Sequence, residues 1–246
     1  MTLTQKKTSA ISIIVPTLNE ARNLPALRSL AEQVREVLVV DGGSRDETVS
    51  LARGMGFQVM ECFGGRGAQL NMGAACATAP ILLFLHADTL LPPDFADAVR
   101  ECLDSSVPIL GAFRLQVEGG GRLLKTIVRL ANLRSELLKL PYGDQGLFLR
   151  RETFARLGGF PPLPIMEDYA FVKQAQRCAK VRILRQTVIT SGRRWQHVGP
   201  IRTTLINQLV IFGFHLGVPP EKLALFYRRG LIFGKFSGDK GTHHLL

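Results

Sequence analysis

Residues 11–20 read ISIIVPTLNE, residues 37–43 read VLVVDGG and residues 81–88 read ILLFLHAD. Each stretch begins with a continuous apolar run, which is typical of a strand buried on both faces. Segments with helical spacing of apolar residues lie between the runs. The alternation predicts an α/β fold with a mostly parallel sheet and helices on both faces.

The same patterns extend over most of the chain and give provisional bounds. We predict strands at residues 11–15, 37–40, 57–62, 81–85, 109–117, 146–150 and 181–189. We predict helices at residues 20–34, 44–53, 69–77, 122–140, 151–157, 167–179 and 220–229, and a weakly ordered tail from residue 230. Asn19 is the predicted N-cap of the first helix, and residues 44–47, Ser-Arg-Asp-Glu, resemble a capping box for the second.

Composition excludes several classes of protein. The 246 residues are 46% hydrophobic, enough for one sizeable core, and no apolar run reaches the roughly 18 residues of a membrane span. The four cysteines lack metal-ligand spacing, so we expect free thiols and a cytoplasmic protein.

Residues 1–113 hold 9 Lys/Arg and 12 Asp/Glu (−3), whereas residues 114–246 hold 22 Lys/Arg and 8 Asp/Glu (+14). The second half should therefore meet something anionic.

Polar residues follow four of the predicted strands. Residues 16–20 read PTLNE, Asp41 precedes two glycines, residues 64–67 read GGRG and residues 86–88 read HAD. In open α/β sheets, ligands bind beyond the carboxyl ends of the strands. These four positions therefore predict one ligand site.

The motifs VPTLNE, VVDGGSRDET and LHADT resemble glycosyltransferase family 2, whose members have the Rossmann-like GT-A fold of nucleotide-diphospho-sugar transferases. The likeness extends over about residues 11–195. YGDQG, MEDY and SGRRW, which begin at residues 142, 166 and 191, further resemble a small single-domain branch named for arsenosugar biosynthesis. The resemblance implies an inverting transfer of a sugar from a UDP- or GDP-linked donor to an acceptor hydroxyl or phosphate.

The resemblance also implies a donor site. We expect donor contacts from Pro16, Thr17, Asn19, Glu20, Asp41, Gly43, Asp88, Arg193 and Arg194, and from Arg66 and Gln69 in and after the glycine-rich residues 64–67. Asp41 would accept a hydrogen bond from the imide of the base; alternatively, it caps the turn before Gly42. Residues 64–67 either approach the nucleotide through their backbone N–H groups or form a plain turn.

A divalent cation, Mn²⁺ or Mg²⁺, is the implied cofactor, with Asp88 as its main ligand. Hard cations prefer oxygen ligands and take the remainder from phosphate and water. The family normally has Asp-x-Asp here, and this chain has His86 in place of the first aspartate. His86 and His197 are secondary metal candidates, and Asp88 as a helix cap is the alternative.

The acceptor side of the resemblance falls in the basic half. Glu167 and Asp168 match the family's Glu-Asp pair, whose aspartate is the general base, although acids at a helix start are also favoured by the helix dipole. Asp144, Gln145 and Trp195 are expected at the sugar or acceptor, with core packing as the alternative for Trp195.

We expect one domain, with a nucleotide-binding half (11–104), an acceptor half (105–200) and a helical extension with a tail (201–246). The acceptor is either a small soluble metabolite or a polyprenyl phosphate, and the apolar residues 205–216 would either contact a membrane surface or pack on the core or a second subunit. Nucleic-acid binding is disfavoured by the lack of a recognition motif. Sugar-nucleotide pyrophosphorylases usually have a glycine-rich loop directly after the first strand. Residues 16–20 of this chain contain no glycine, which disfavours that class.

Overall fold

One sheet runs through the described part of the chain, residues 10–119 and 121–232 of a computed structural model. Its eight strands have the order β3-β2-β1-β4-β7-β6-β8-β5. The strands are β1 Ile11–Thr17, β2 Glu36–Asp41, β3 Gln58–Glu61, β4 Ile81–Phe84, β5 Thr89–Leu90, β6 Ile109–Val117, β7 Leu147–Arg150 and β8 Lys180–Thr190. Strands β1 to β4 pair in parallel, as do β6 and β8, whereas β7 and β5 run against their neighbours.

Ten α-helices lie within the described residues. They are α1 Leu30–Gln33, α2 Thr48–Gly54, α3 Arg66–Cys76, α4 Phe95–Leu103, α5 Arg122–Leu138, α6 Arg151–Arg156, α7 Glu167–Cys178, α8 Arg193–Val198, α9 Pro200–His215 and α10 Pro220–Ile232. Two 3₁₀ turns, Leu24–Leu27 and Gly143–Gln145, complete the set. None of these helices is long and apolar enough to cross a bilayer.

The strands have apolar side chains on both faces. Successive residues of β1 separate into two cores, with Ile13 and Val15 in one and Ile14 in the other. Helix α4 contributes Phe95 to the first core, and α7 contributes Phe171 to the second. The mostly parallel α/β sheet with helices on both faces is therefore confirmed, and a helical C-terminal part follows it.

The register of the parallel strands sets up the site. Thr17, the last residue of β1, pairs with Asp41, the last residue of β2. Strand β4 lies on the other side of β1, and the segment that contains His86 and Asp88 follows its carboxyl end. The polar residues after these strands therefore lie along one edge of the sheet.

The predicted helix at residues 20–34 is wrong. The structure has only the 3₁₀ turn Leu24–Leu27 and the single turn α1 there. Pro25 has no N–H to donate, so a longer helix would lose a hydrogen bond. Asn19 caps no helix; it has a positive φ of 56°, and its Oδ1 accepts a hydrogen bond from the backbone N–H of Arg45.

The predicted capping box at residues 44–47 is also absent from the described helix start. Helix α2 begins at Thr48, and no side chain caps it from Glu47. Instead, the Ser44 hydroxyl donates to Asp41, and Asp46 accepts the N–H of Thr48. Helix α3 begins at Arg66, three residues earlier than predicted. The predicted tail is helical as far as residue 232, and the rest of it lies outside the described residues.

Candidate active site

Asp41 organises the loop after β2. It is 1% exposed, and its Oδ1 accepts hydrogen bonds from the hydroxyls of Thr17 and Ser44. Its Oδ2 accepts from the backbone N–H groups of Gly43 (2.8 Å) and Ser44 (2.7 Å). A carboxylate has about four lone-pair positions, and all are used. In this conformation Asp41 has no position left for a nucleobase, which favours the turn-capping alternative over the base contact.

Gln69 also lies beneath the loop rather than in an open site. Its buried amide nitrogen donates to the carbonyls of Thr17 (2.9 Å) and Val40 (2.7 Å), which ties the ends of β1 and β2 together. Pro16 and Thr17 are buried within β1. Gly43 has a φ of 98°, and a Cβ there would lie 3.0 Å from the Phe63 ring. These residues shape the edge of the sheet on which a nucleotide would lie.

A first charged cluster consists of Glu20, Asp88 and Arg193. The guanidinium Nη2 of Arg193 lies 3.8 Å from Glu20 Oε2 and 3.8 Å from Asp88 Oδ2. Arg193 Nε also donates to the Ser191 hydroxyl at 3.1 Å. Burial raises the pKa of Glu20 and the charge of Asp88 adds to the effect, whereas Asn23 and Arg193 oppose it. The three side chains are partly exposed, so a ligand can reach them.

The donor set of this cluster fits a divalent cation that takes most of its ligands from elsewhere. No group of three His, Cys, Asp or Glu side chains with metal-binding geometry exists among residues 10–119 and 121–232. A carboxylate from Asp88, with Glu20 beside the same arginine, is the oxygen-only set that Mg²⁺ or Mn²⁺ uses when phosphates and water supply the rest. Neither His86 nor His197 joins Asp88 in such a group.

A second charged cluster consists of Arg66, Glu167 and Asp168. Arg66 begins α3, and the two acids begin α7. The Arg66 Nε donates to Glu167 Oε1, and its Nη2 lies 3.6 Å from Asp168 Oδ2. Glu167 is buried, so the ion pair is shielded from water on that side.

The pKa values of the two acids move in opposite directions. Burial would raise the pKa of Asp168, but the charge of Arg66 and hydrogen bonds from the N–H groups of Gly143 and Tyr169 lower it. For Glu167, burial is the largest effect and raises the pKa, with the charge of Asp168 in the same direction. Burial would lower the pKa of Arg66, yet the two carboxylates raise it. Asp168 therefore stays ionised to a lower pH than Glu167.

His86 belongs to this second cluster. Its Nε2 lies 3.4 Å from Arg66 Nη1, and its charge would lower the pKa of Asp168. Gly143 completes the wall, since its N–H donates to Asp168 Oδ2 at 2.8 Å. Arg66, His86, Gly143 and Asp168 line one cleft with apolar side chains behind them.

Backbone strain occurs next to the cluster. Met166, the residue before α7, has a φ of 68°, which non-glycine residues rarely adopt. Such outliers concentrate at functional sites. The strained turn places Glu167 and Asp168 in the first turn of α7, where the helix dipole stabilises negative charge.

The other predicted acceptor contacts differ in exposure. Asp144 is partly exposed in the 3₁₀ turn after Gly143. Gln145 is 1% exposed; its amide nitrogen donates to the carbonyl of Phe113, and its oxygen accepts from Ser135. Gln145 therefore supports the turn from behind and is buried away from the surface of the cleft. Trp195 is half-buried and packs against the first core, as the packing alternative predicted.

Arg194 and His197 lie on α8 with Arg193. Nothing is described of the Arg194 side chain, so its predicted donor contact lies outside the described residues. His197 is exposed. Its role as a metal ligand stays a prediction, and among the described residues it belongs to no group of three possible metal ligands.

Sequence reasoning missed Arg134 and Gly143. Arg134 lies over the Tyr142 ring, with 3.6 Å from its Cζ to the ring centroid, and its buried Nε has no hydrogen-bond partner. The pKa of Tyr142 is raised to about 12, mainly by burial, and feels the charges of both Arg134 and Asp168. Gly143 could have been chosen because it lies within the YGDQG motif. Arg134 is one of several basic residues of α5, and no pattern distinguishes it from the others.

Comparison with known proteins adds three findings. The family model for glycosyl transferase family 2 matches residues 12–152. An uncharacterized glycosyltransferase of Mycobacterium tuberculosis is 33% identical over 112 residues, which are 45% of this chain and 51% of the relative. This chain thus spans about half the length of the curated relatives it matches.

Solved structures share the fold. A mannosyltransferase of Pyrobaculum calidifontis, solved with GDP-Man and Mn²⁺, superposes with a TM-score of 0.63 at 19% identity, covering 95% of this chain and 77% of that one. Glucosyl-3-phosphoglycerate synthase of Mycobacterium tuberculosis gives a TM-score of 0.54 at 20% identity, covering 74% and 70%. Since the family model spans more than half of the residues and the GT-A fold agrees with it, the chain belongs to glycosyl transferase family 2.

Proposed function

We propose that the chain is an inverting, metal-assisted glycosyltransferase that moves a sugar from a UDP- or GDP-linked donor to an acceptor hydroxyl or phosphate. One observation carries the proposal: His86 belongs to the Arg66–Asp168 cluster, and Asp88 belongs to the Glu20–Arg193 cluster. Two residues of extended chain span at most about 7 Å, so the two clusters lie next to each other along residues 86–88. An ionised base and a site for a diphosphate are thus side by side.

The first cluster suits the donor. Arg193 is always charged and can bind two oxygens of a diphosphate at once. A divalent ion held by Asp88 and the diphosphate would neutralise charge on the leaving group. Relatives of the fold were solved with GDP-Man and Mn²⁺ and with UDP and Mn²⁺, which supports this assignment.

The second cluster suits the acceptor. Asp168 is ionised, and its Oδ2 would take the proton of an acceptor hydroxyl as the oxygen attacks the anomeric carbon. The bond from that carbon to the donor phosphate breaks on the opposite face, and the nucleoside diphosphate leaves with the bonding electrons. Arg66 and the N–H of Gly143 hold Asp168 in place without removing its charge.

Two acceptor classes stay open within this proposal. One is a small soluble metabolite of the arsenosugar type, as the family branch implies. The other is a polyprenyl phosphate, whose charge suits the basic residues 114–246. Arg134, whose buried Nε lacks a hydrogen-bond partner, lies over the ring of Tyr142 in this part of the chain. In both cases residues 11–104 would hold the nucleotide and residues 105–200 the acceptor. A cytoplasmic location fits both.

Turnover of nucleotide sugars tests the proposal. UDP-glucose and GDP-mannose are incubated with Mn²⁺ and either polyprenyl phosphate in detergent, polar sugar acceptors or water alone, and nucleoside diphosphate release is measured. Asp168→Asn should lower kcat by about 10²–10⁴-fold while nucleotide binding persists. Asp97→Asn, an exposed change on α4, is the matched control. Turnover by Asp168→Asn equal to that of the control would overturn the assignment of the base.

A further inference from the structure

Helix α9 has an apolar face that nothing in the described chain covers. Its core side is formed by Thr203, Ile206, Val210 and Gly213, which are buried. The opposite side carries four large apolar residues, Ile201, Leu205, Leu209 and Phe212, and Leu216 follows directly after the helix; each of the five is more than half exposed. Their spacing of three or four residues places them on one face, called here the α9 stripe. A helix that is apolar on both sides faces a second apolar environment.

Helix α5, which packs against α9, has a stripe of its own. Leu123, Leu130, Leu133 and Leu137 are 48–70% exposed and recur at helical spacing. We call these four residues the α5 stripe. Monomeric soluble proteins rarely expose large apolar residues in such runs unless the surface binds something.

The charge around the stripes is strongly positive. Helices α5, α9 and α10 together contain eight Lys/Arg and two Asp/Glu. Of the two acids, Glu136 is paired with Arg114 of β6. Exposed Arg129, Arg202 and Arg228 belong to this set. Docking of a second copy through this surface would bring like charges together, whereas an anionic surface would be complementary.

We propose that the α5 and α9 stripes dock the protein on an anionic lipid bilayer. Apolar side chains would enter the boundary between headgroups and acyl chains, and the surrounding Lys/Arg would contact lipid phosphates. Helix α9, about 24 Å long, lies in the surface plane. It does not qualify as a membrane span.

Other residues of α9 contact α7, the helix that carries Asp168 of the second charged cluster. The Tyr169 hydroxyl and His215 Nε2 are 3.0 Å apart, and the Tyr169 and Phe214 rings are 5.9 Å apart. Tyr169 follows Asp168 in α7. Docking would therefore hold the acceptor side of the cleft near lipid headgroups. Binding to a bilayer requires no turnover, so it can be tested independently of the proposed transfer.

Vesicle flotation of the whole chain tests the proposal. We expect co-flotation with phosphatidylcholine–phosphatidylglycerol vesicles, weaker flotation with pure phosphatidylcholine and a loss of binding as NaCl is raised. Leu205→Gln/Leu209→Gln/Phe212→Gln should weaken binding at least about tenfold, because three apolar side chains no longer enter the bilayer. Val107→Gln/Met72→Gln, which changes two exposed apolar residues away from α5 and α9, is the control.

A second pair of variants separates charge from apolar contact. Arg129→Gln/Arg202→Gln should reduce binding to the anionic vesicles, and Arg53→Gln/Lys173→Gln, exposed on α2 and α7, should not. Calorimetric binding of UDP and GDP reports the proposed function separately for every variant. Flotation without nucleotide binding would leave the docking surface intact and contradict only the transferase.

Three results would overturn the docking proposal. The first is no flotation of the wild type at low salt, and the second is flotation of the stripe variant equal to that of its control. The third is a dimer by light scattering that the stripe variant dissociates, without vesicle binding. That result would assign the stripes to a second copy.

Discussion

Arg66 determines the ionisation of the residue proposed as the base. Its Nη2 lies 3.6 Å from Asp168, and its charge is the largest effect that lowers the pKa of that carboxyl against the opposing effect of burial. Lowering the pKa keeps Asp168 ionised to a more acidic pH than an ordinary aspartate. The cost is a weaker base, which proximity to the acceptor offsets.

Arg66→Met should therefore change the pH dependence of turnover. Without the positive charge, the pKa of Asp168 rises, so the carboxylate is protonated at a higher pH. The acid limb of the kcat/KM profile should therefore move to higher pH. Arg66→Lys, which keeps a charge, should lie between the two. The measurement is the pH–rate profile, and an acid limb in Arg66→Met that coincides with the wild type would contradict this account.

Gly143 is the second residue on which the geometry depends. A Cβ at this position would lie 2.9 Å from Asp168 Oδ2 and 3.2 Å from His86 Nε2. Gly143→Ala should push the carboxylate away and lower kcat at least about tenfold, because small displacements of a reacting group are costly. Gly54→Ala, where a Cβ meets nothing within 4 Å, is the control. Equal kcat for the two variants would show that Asp168 does not need its observed position.

At the level of elements, α3 connects the site to the sheet. Arg66 begins this helix, Gln69 ties it to β1 and β2, and Gly73 lies against β1. A Cβ at Gly73 would lie 2.4 Å from Ile14 Cγ2. The glycine therefore sets the distance between helix and strand.

Gly73→Ala should destabilise the fold by about 1–3 kcal/mol in urea unfolding, because overpacking outweighs the gain in helix propensity. Gly54→Ala in α2 has open space and should be neutral or slightly stabilising. An unfolding free energy for Gly73→Ala equal to that of Gly54→Ala would mean that α3 shifts freely on the sheet.

Elements differ in how well local sequence predicts them. Residues 37–40 are continuously apolar, and the strand is there. Strand β5 has only two residues and forms because it pairs with β8. No local sequence pattern predicts that pairing. Helix α4, which supplies Phe95 to the core, was not anticipated either. The prediction of a helix at residues 20–34 is wrong because it considered only the helical spacing of the apolar residues. Pro25 cannot donate the backbone hydrogen bond that a longer helix would need.

Over the whole molecule, the site joins residues that are far apart in sequence. Arg66 and Glu167 are 101 positions apart, so their ion pair could not be predicted from spacing. The motifs did predict Asp88 and Asp168 as candidates, because each follows a recognisable pattern. The hydrogen bonds of Asp41 and Gln69 within the protein could not be predicted from the sequence, because the sequence does not distinguish a buried polar residue from an exposed one.

The charge asymmetry is also a property of the whole chain. The net charge of +14 in residues 114–246 includes Arg193 of the first charged cluster and the basic helices α5 and α10. The same positive charge would serve both the proposed anionic donor and the proposed bilayer surface. Their salt dependence should differ, because screening weakens exposed contacts more than partly buried ones.

Calorimetric titration with UDP, GDP and CDP, with and without Mn²⁺, tests the central claim most directly. We expect either UDP or GDP to bind in the presence of Mn²⁺. Binding should be at least about tenfold weaker without metal or in Asp88→Ala, because a divalent ion held by Asp88 would offset the charge of the diphosphate. Asp97→Ala should bind as the wild type does. Failure of all three nucleotides to bind, with or without metal, would contradict the claim that this edge of the sheet is a donor site.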